Sequence, residues 1–341
     1  MSDRWAFSPQ NPELRVVTTQ GIRRRVDGES EWLEVETGVL RQLAAEAFRD
    51  LAFYLRPSQL EAWAVICRDP LASDNDRFVA AQLLRNAVIS AEGVLPLCQD
   101  TGTATIFARR GYRVITAGTD ESELLAGVGD AWSEHCLRAS QMVPTTLFVE
   151  SNSGNNLPAM VEIRAVAGTE YELLFMAKGG GSANRTMLFQ KTPAILNESA
   201  FETFLREQLR ELGVAACPPY RLAVVVGGLS PEHNLETLKL ATAEALDHLP
   251  GAASGATAFR DIAWEERVCR LAAEQPAGAK FGGRWFALSA RVIRLPRHAA
   301  SCFISIGVSC SAHRQMIGRV TAEGAFLERL ESAPSRFMPD A

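Results

Sequence analysis

The 341-residue sequence contains no C-x-x-C pair, although it holds seven cysteines. An odd number without that spacing argues against a secreted disulfide framework and against a zinc ribbon. No stretch reaches the ~18 uninterrupted apolar residues of a membrane-spanning helix. The opening residues lack the apolar run of a signal peptide. The arginines at 23–25 sit among Glu13, Asp27 and Glu29, acidic neighbours that a transit peptide avoids. A basic excess is missing too: 35 Lys and Arg against 40 Asp and Glu give a formal charge of −5. General nucleic-acid binding needs the opposite balance. There is no internal repeat and no low-complexity segment. The expectation left by these absences is a soluble protein of a reducing, cytoplasmic compartment, with neither nucleic acid nor membrane as partner.

What is present is globular: 47% hydrophobic and 22% charged residues. Length alone suggests about two domains, or one large one. Residues 1–34 are polar and weakly patterned and read as an N-terminal arm. From 35 to about 92 the periodicity is helical. Leu40, Leu43, Ala44, Phe48 and Leu51 form one stripe; Pro57 interrupts, and Ser58 is placed to cap a second helix through Ile66. Ser73 and Asp76 resemble a capping box ahead of a third helix, with Phe78, Val79, Leu83, Leu84 and Val88 on one face. Short β-like runs follow at Ala104–Ala108, Val161–Val166, Tyr171–Ala177, Leu222–Val226, Phe286–Leu295 and Phe303–Val308. Helical patterns fall between them at 123–140, 199–212, 232–247 and 260–274. The fold class expected is therefore α/β of a mixed α+β kind: a helical first third, then a strand-and-helix region running to residue 341. Gly251–Gly255 is rich in small residues and reads as a loop without marking a domain boundary.

Three cysteines share a setting. Cys98 precedes Asp100-Thr101-Gly102, Cys217 is stopped by Pro218-Pro219, and Cys310 follows a strand-like run and precedes Ser311-Ala312-His313-Arg314. Each stands where a regular element ends, the place from which a scaffold aims ligands at a common point. Taken singly, each is as readily a structural thiol. Cys67, Cys136, Cys269 and Cys302 lie in apolar or helical patterns and read as small buried hydrophobes.

The neighbours add chemistry. Gln99 and Asp100 are suited to a carboxylate or hydroxyl beside a metal. Lys178-Gly179-Gly180-Gly181 follows a strand directly, and three glycines allow close approach of backbone N–H groups to an anion. The lysine precedes the glycines, so this is not a Walker A loop, and Asn184 stands where a dinucleotide fingerprint needs its last glycine. His298, beside Arg297 after a strand, is a candidate proton or anion site. Arg138 alone reads as a helix-surface charge. A zinc reading of His298, Cys302, Cys310 and His313 meets spacings that match no usual finger or ribbon.

Together these segments resemble the class I fumarate hydratases, iron–sulfur hydro-lyases. The resemblance rests on LPLCQDTGTA (95–104), NNLPAMVEI (155–163), MAKGGGSANRT (176–186), AACPPY (215–220), AFRD (258–261), KFGG (280–283), VIRLPRH (292–298) and GVSCSA (307–312). It extends from VVTTQGI (16–22) through LRPSQLEA (55–62) to the last ten residues. It implies a [4Fe–4S] cluster held by Cys98, Cys217 and Cys310, with one iron open to substrate. The reaction implied is reversible hydration of fumarate to L-malate, a step of the citric acid cycle. Asp100 would carry the proton, and Gln99, Asp100, Arg138, Gly181 and His298 would bind the dicarboxylate, His298 with a catalytic share. Ala299 replaces a glycine common in the family, and the stretch between Cys302 and Gly307 also departs from its pattern.

The resemblance also implies what is not here. Family members of one chain continue into a C-terminal domain that supplies further cationic residues and a base. The expectation is that the chain is the large (alpha) part of a split enzyme, working with a small beta subunit or C-terminal domain in a homo- or hetero-oligomer. Tartrate dehydratase and mesaconate hydratase are the close alternatives. A metal-binding sensor that is incomplete as a catalyst is the alternative of another class.

Overall fold

A computed structural model describes residue 7 and residues 12–253 and 257–339. Most of the expected arm lies within that range, and there it is not an arm. It folds into β1 (Leu14–Thr18), β2 (Ile22–Asp27) and β3 (Ser30–Val35), while residues 1–6 and 8–11 lie outside the described residues. β2 and β3 form a hairpin in which Arg24 meets Glu31 and Arg25 meets Glu34 across the strands. Opposite charges facing each other stabilise a ladder, and they also hid its alternation in the sequence. The Asp27-Gly28 step, with Gly28 at φ 61°, is the hairpin signal that polarity masked.

Three helices follow: α1 (Val39–Phe53), α2 (Pro57–Arg68) and α3 (Asp74–Ser90). The α1 stripe is buried as expected. α2 begins with Pro57 in its first turn and Arg56 as the N-cap, so Ser58 lies inside the helix and does not cap it. α3 has the expected capping box between Ser73 and Asp76. Its buried face differs, comprising Ala80, Leu84 and Ala87, with Phe78 59% exposed. The cause is Asp76, which accepts N–H bonds from Ala279, Arg284 and Trp285 and so fixes the helix by its polar end.

The remaining elements are β4 (Thr103–Gly111), β5 (Val114–Thr116), α4 (Asp120–Glu134), β6 (Met142–Pro144), β7 (Glu150–Asn152), β8 (Met160–Val166) and β9 (Tyr171–Lys178). Then come the short turn α5 (Gly180–Ala183), β10 (Met187–Lys191), α6 (Glu198–Leu212), β11 (Tyr220–Gly228), α7 (Pro231–Thr242), β12 (Phe259–Arg260) and α8 (Ile262–Ala273). The chain closes with β13 (Ala287–Arg297), β14 (Cys302–Ser309), β15 (Gln315–Thr321) and β16 (Gly324–Glu328). Of the loop expected at Gly251–Gly255, residues 254 and 255 lie outside the described residues.

The fold is mixed α/β, built on two main sheets. One has the order β1-β16-β15-β9-β4-β8, the other β10-β14-β11-β13-β12. Period-two alternation divides each strand between two cores. Ile106 and Ala108 join α1 and α4 on one face of the six-stranded sheet, whereas Phe107 faces the other sheet. Ala223 and Val225 of β11 share that inner core with Leu238 and Ala241 of α7, so α7 lies between the sheets. Leu222, Val224 and Val226 pack outward against α6 and α8. Both faces of β11 are covered, which explains its unbroken apolar run. Among the described residues no helix is long and apolar enough to cross a membrane.

Candidate active site

The two sheets end at a common edge. Thr103, the first residue of β4, pairs with Lys178 at the end of β9, and Gln315, the first of β15, pairs with Met176. In the other sheet Ser309, the last residue of β14, pairs with Arg221 near the start of β11. The chain passes from one sheet to the other through residues 310–314. Four loops therefore meet here: the one before β4 with Cys98 and Asp100, the one after β9 with the glycines, the one before β11 with Cys217, and the crossover with Cys310.

Asp100 is fixed between them. Gly180 N–H donates to its Oδ2 at 2.7 Å, and Gly102 N–H donates to Oδ1 at 3.1 Å. A Cβ on Gly179 would stand 2.7 Å from Oδ2. Gly102 has φ 86°, and a Cβ there would stand 2.9 Å from the Lys178 carbonyl carbon. Close approach thus requires Gly179 and Gly102, whereas a Cβ on Gly180 would meet only ordinary contact at 3.7 Å. A Cβ on Gly181 would reach ordinary contact with Ala216, next to Cys217.

The three thiols come to the same neighbourhood. The Cys217 carbonyl accepts from Ser311 N–H at 3.0 Å, tying it to the residue after Cys310. Burial pushes the Cys98 thiol up; Arg314 opposes this, and Cys310 is near enough to add to it. Burial raises the Tyr220 phenol, and both Cys217 and Cys310 contribute to that rise. Cys217 adopts φ 61°, unusual for a residue with a Cβ, and Lys280 Nζ lies 3.9 Å from its Sγ. All seven cysteines are free thiols. Among the described residues no group of three or more His, Cys, Asp or Glu is close enough to share a single metal ion. The zinc alternative is therefore not assembled; the length of β14 separates Cys302 from Cys310.

Two cations that the sequence did not single out as site residues line one small cavity with Cys310. Arg314 is 4% exposed and donates to the carbonyls of Asp100 and Thr101 at 2.9 and 3.1 Å. Among the described residues its Nε has no partner. Lys178 retains some residue surface, but its ammonium turns inward to Thr242 Oγ1 at 3.2 Å. Burial and the nearby Lys239 lower its pKa to about 8, against the pull of Cys310. Asn156, fully buried, was also missed: it accepts from Ser140 N–H at 2.7 Å and donates to the Gly102 carbonyl at 2.9 Å.

Arg138 belongs to this edge. α4 stops at Glu134, short of the helix expected through 140, and Cys136 turns the chain at φ 48°. Arg138 consequently stands exposed in a loop, with its carbonyl accepting from Thr101 Oγ1 at 2.6 Å. Gln99 is likewise exposed. His298 is elsewhere. β13 runs parallel to β11, and the register carries Arg297 to Gly228, seven residues past Arg221. At ~3.3 Å per residue that is about 23 Å of strand, so His298 lies at the far end of the five-stranded sheet. There its ring accepts from Ala300 N–H at 3.2 Å.

The family profile described as Fumarate hydratase (Fumerase) matches residues 41–319. The chain belongs to the fumarate hydratase family. It is 49% identical to the class I, anaerobic fumarate hydratase of Escherichia coli K12, over 92% of this chain and 57% of that protein. It is 47% identical to fumarate hydratase 2 of Leishmania major, over 90% of this chain and 54% of that one. A more distant relative is the putative L(+)-tartrate dehydratase subunit alpha of Methanocaldococcus jannaschii, at 26% over 82% of this chain and 97% of the relative. This family member thus spans somewhat more than half the length of its more similar relatives. Those relatives carry the rest on the same polypeptide, as in the C-terminal-domain form of the expectation rather than the separate small subunit. The tartrate dehydratase alpha subunit is matched over nearly its whole length.

Proposed function

We propose that this chain is the cluster-bearing part of an iron–sulfur hydro-lyase that hydrates fumarate reversibly to L-malate. The observation that carries the reading is the meeting of Cys98, Cys217 and Cys310 beside a fixed Asp100 at one sheet edge. The donor set suits a [4Fe–4S] cluster in type: three unpaired thiols, the ligands such a cluster takes. When bound, an iron not held by a thiolate supplies Lewis acidity that polarises the substrate hydroxyl.

The chain's own residues then divide the remaining work. Asp100 accepts two backbone N–H bonds and keeps lone pairs free to take a proton from substrate at a carboxylate oxygen. Arg138, exposed beside it, forms charge-assisted bonds with a substrate carboxylate. Gln99 and the Gly181 N–H add polar contacts. The reading gives His298 no role within a single chain, because the register sets it beyond the far end of a span of about 23 Å of β11. A dicarboxylate needs cations at both ends, and this edge presents Arg138 toward solvent. The reading therefore includes a contribution from the region that the similar relatives carry beyond the match, on the same chain or on a partner. Exposed thiols suit a reducing compartment.

Fumarate is favoured over tartrate and mesaconate because the relatives at 47–49% are named fumarate hydratases, whereas the tartrate dehydratase subunits share 25–26%. The test is anaerobic reconstitution followed by metal and sulfide analysis and relative kcat/KM on the three acids. About four irons and four sulfides per chain are expected, lost in Cys98→Ser, Cys217→Ser and Cys310→Ser. Zinc in place of iron, or equal binding by the three serine variants, would sink the reading. Full activity of the 341 residues alone would remove the need for a further region. Mass measurement in solution tests the expected homo- or hetero-oligomer.

A further inference from the structure

We propose that Lys178 and Arg314 are the internal counter-charge of the anionic group held by Cys98, Cys217 and Cys310; this rests on the cluster reading above. Among the described residues, several inward cations are matched by carboxylates, whereas Arg294 donates only to the Val226 and Leu295 carbonyls and Lys239 Nζ faces Met160 Sδ. Arg56, 9% exposed, makes a two-pronged pair with Glu328 at 2.6 and 2.8 Å. Arg221, 8% exposed, pairs with Glu244 at 2.6 Å. Arg291 is held by Asp247 and Glu244. Arg314 is more deeply buried than Arg56 or Arg221, yet among the described residues its contacts are two carbonyls, and its Nε is left over. Lys178, on the facing strand end, has a single hydroxyl, Thr242 Oγ1.

Carbonyl and hydroxyl dipoles satisfy N–H groups, but they do not neutralise charge. A buried cation without an anion is strongly destabilising. What sets Lys178 and Arg314 apart is that both line the cavity that Cys310 also lines, where a negative group would match them. Three thiolates around an iron–sulfur core provide one. Arg314 also acts as a brace. Its fork ties the Cys98–Asp100 loop to the crossover that bears Cys310, so it fixes two thiols relative to each other. Both are positioning residues, acting on the group through charge and not on substrate.

The proposal predicts a reversal of sign. Lys178→Met keeps the bulk and removes the charge. In the metal-free protein its Tm should equal or exceed that of the unsubstituted chain, because an unpaired buried charge is gone. In the reconstituted protein, release of iron to a chelator should be faster, on the order of tenfold, and the reduction potential should move to more negative values. Arg314→Lys, which keeps the charge and loses the fork, should hold the potential near its original value while release accelerates. Equal falls of Tm in metal-free and reconstituted Lys178→Met, with potential and release unchanged, would overturn the proposal and leave the cluster reading intact. An unsubstituted chain that takes up no cluster would overturn both.

Discussion

Asp100 and His313 show how single side chains near the edge set chemistry and stability. Asp100 is oriented by two backbone donors, and substitution by Asn preserves its shape while removing its capacity to take a proton. Asp100→Asn is expected to lower kcat by ~10²–10⁴ with iron content unchanged, read by steady-state rates beside metal analysis. His313 is buried within the crossover, bonded to Ser309 Oγ at 2.6 Å and facing Glu244, Arg221 and Arg56 from neighbouring elements. Burial lowers its pKa to about 4, with Arg221 and Arg56 adding and Glu244 opposing. Burial works against ionisation of Glu244 as well, but the His313 bond and Arg221 hold its carboxyl well below the usual range. A depressed histidine binds its proton better unfolded, so its share of stability is full above pH ~6.5 and is lost as pH falls toward 4. The loss is about 3 kcal/mol by pH 4, and the Glu244 shift acts in the same direction. Urea midpoints measured from pH 7 to 4 should fall, and His313→Gln should flatten the slope. At this scale the sequence revealed residues whose chemistry is written into a local motif. Lys178 was visible only as the flank of a glycine loop, and Arg314 not at all, because burial without a carboxylate is a tertiary property.

At the scale of elements, the central strands and most helices were legible because their periodicity matched the faces they bury. β11 is the clear case: its run of apolar residues reflects cores on both sides. Failures had physical causes. The β2–β3 hairpin hid behind cross-strand ion pairs. The buried face of α3 turned because Asp76 docks on the 279–285 backbone. α4 ended early, which moved Arg138 from a helix surface to a loop. The joint between that loop and β4 is Asn156, whose amide satisfies Ser140 N–H and the Gly102 carbonyl. Asn156→Ala leaves both unsatisfied and should cost about 2–4 kcal/mol, measured by denaturant unfolding. Substrate affinity should also weaken, because the Arg138 loop loses its tie to the Asp100 loop.

For the whole molecule, the main apolar cores form without Cys98, Cys217 or Cys310. On the proposed cluster reading, stripping the metal should therefore abolish hydration while far-UV circular dichroism and cooperative unfolding persist. The expected change is a lowered Tm, as for loss of any ligand that binds only the folded state. A collapse to an unfolded chain, as in domains folded by their metal, would contradict the picture of a preformed scaffold. The position of His298 departs furthest from what its motif suggested. A motif tells which residue types occur together in a family, not that one chain's topology brings them together, and only the register of β13 on β11 decides that distance.

The five residues from Cys310 to Arg314 are also the seam by which one sheet is sewn to the other. Any sliding of the two layers past each other pulls directly on a thiol and on the guanidinium that clamps its neighbour. On the cluster reading the edge thus works as a strain gauge for the interior: substitutions in the α7 layer, whose Thr242 bonds Lys178, would register first as a change in how firmly the cluster is gripped.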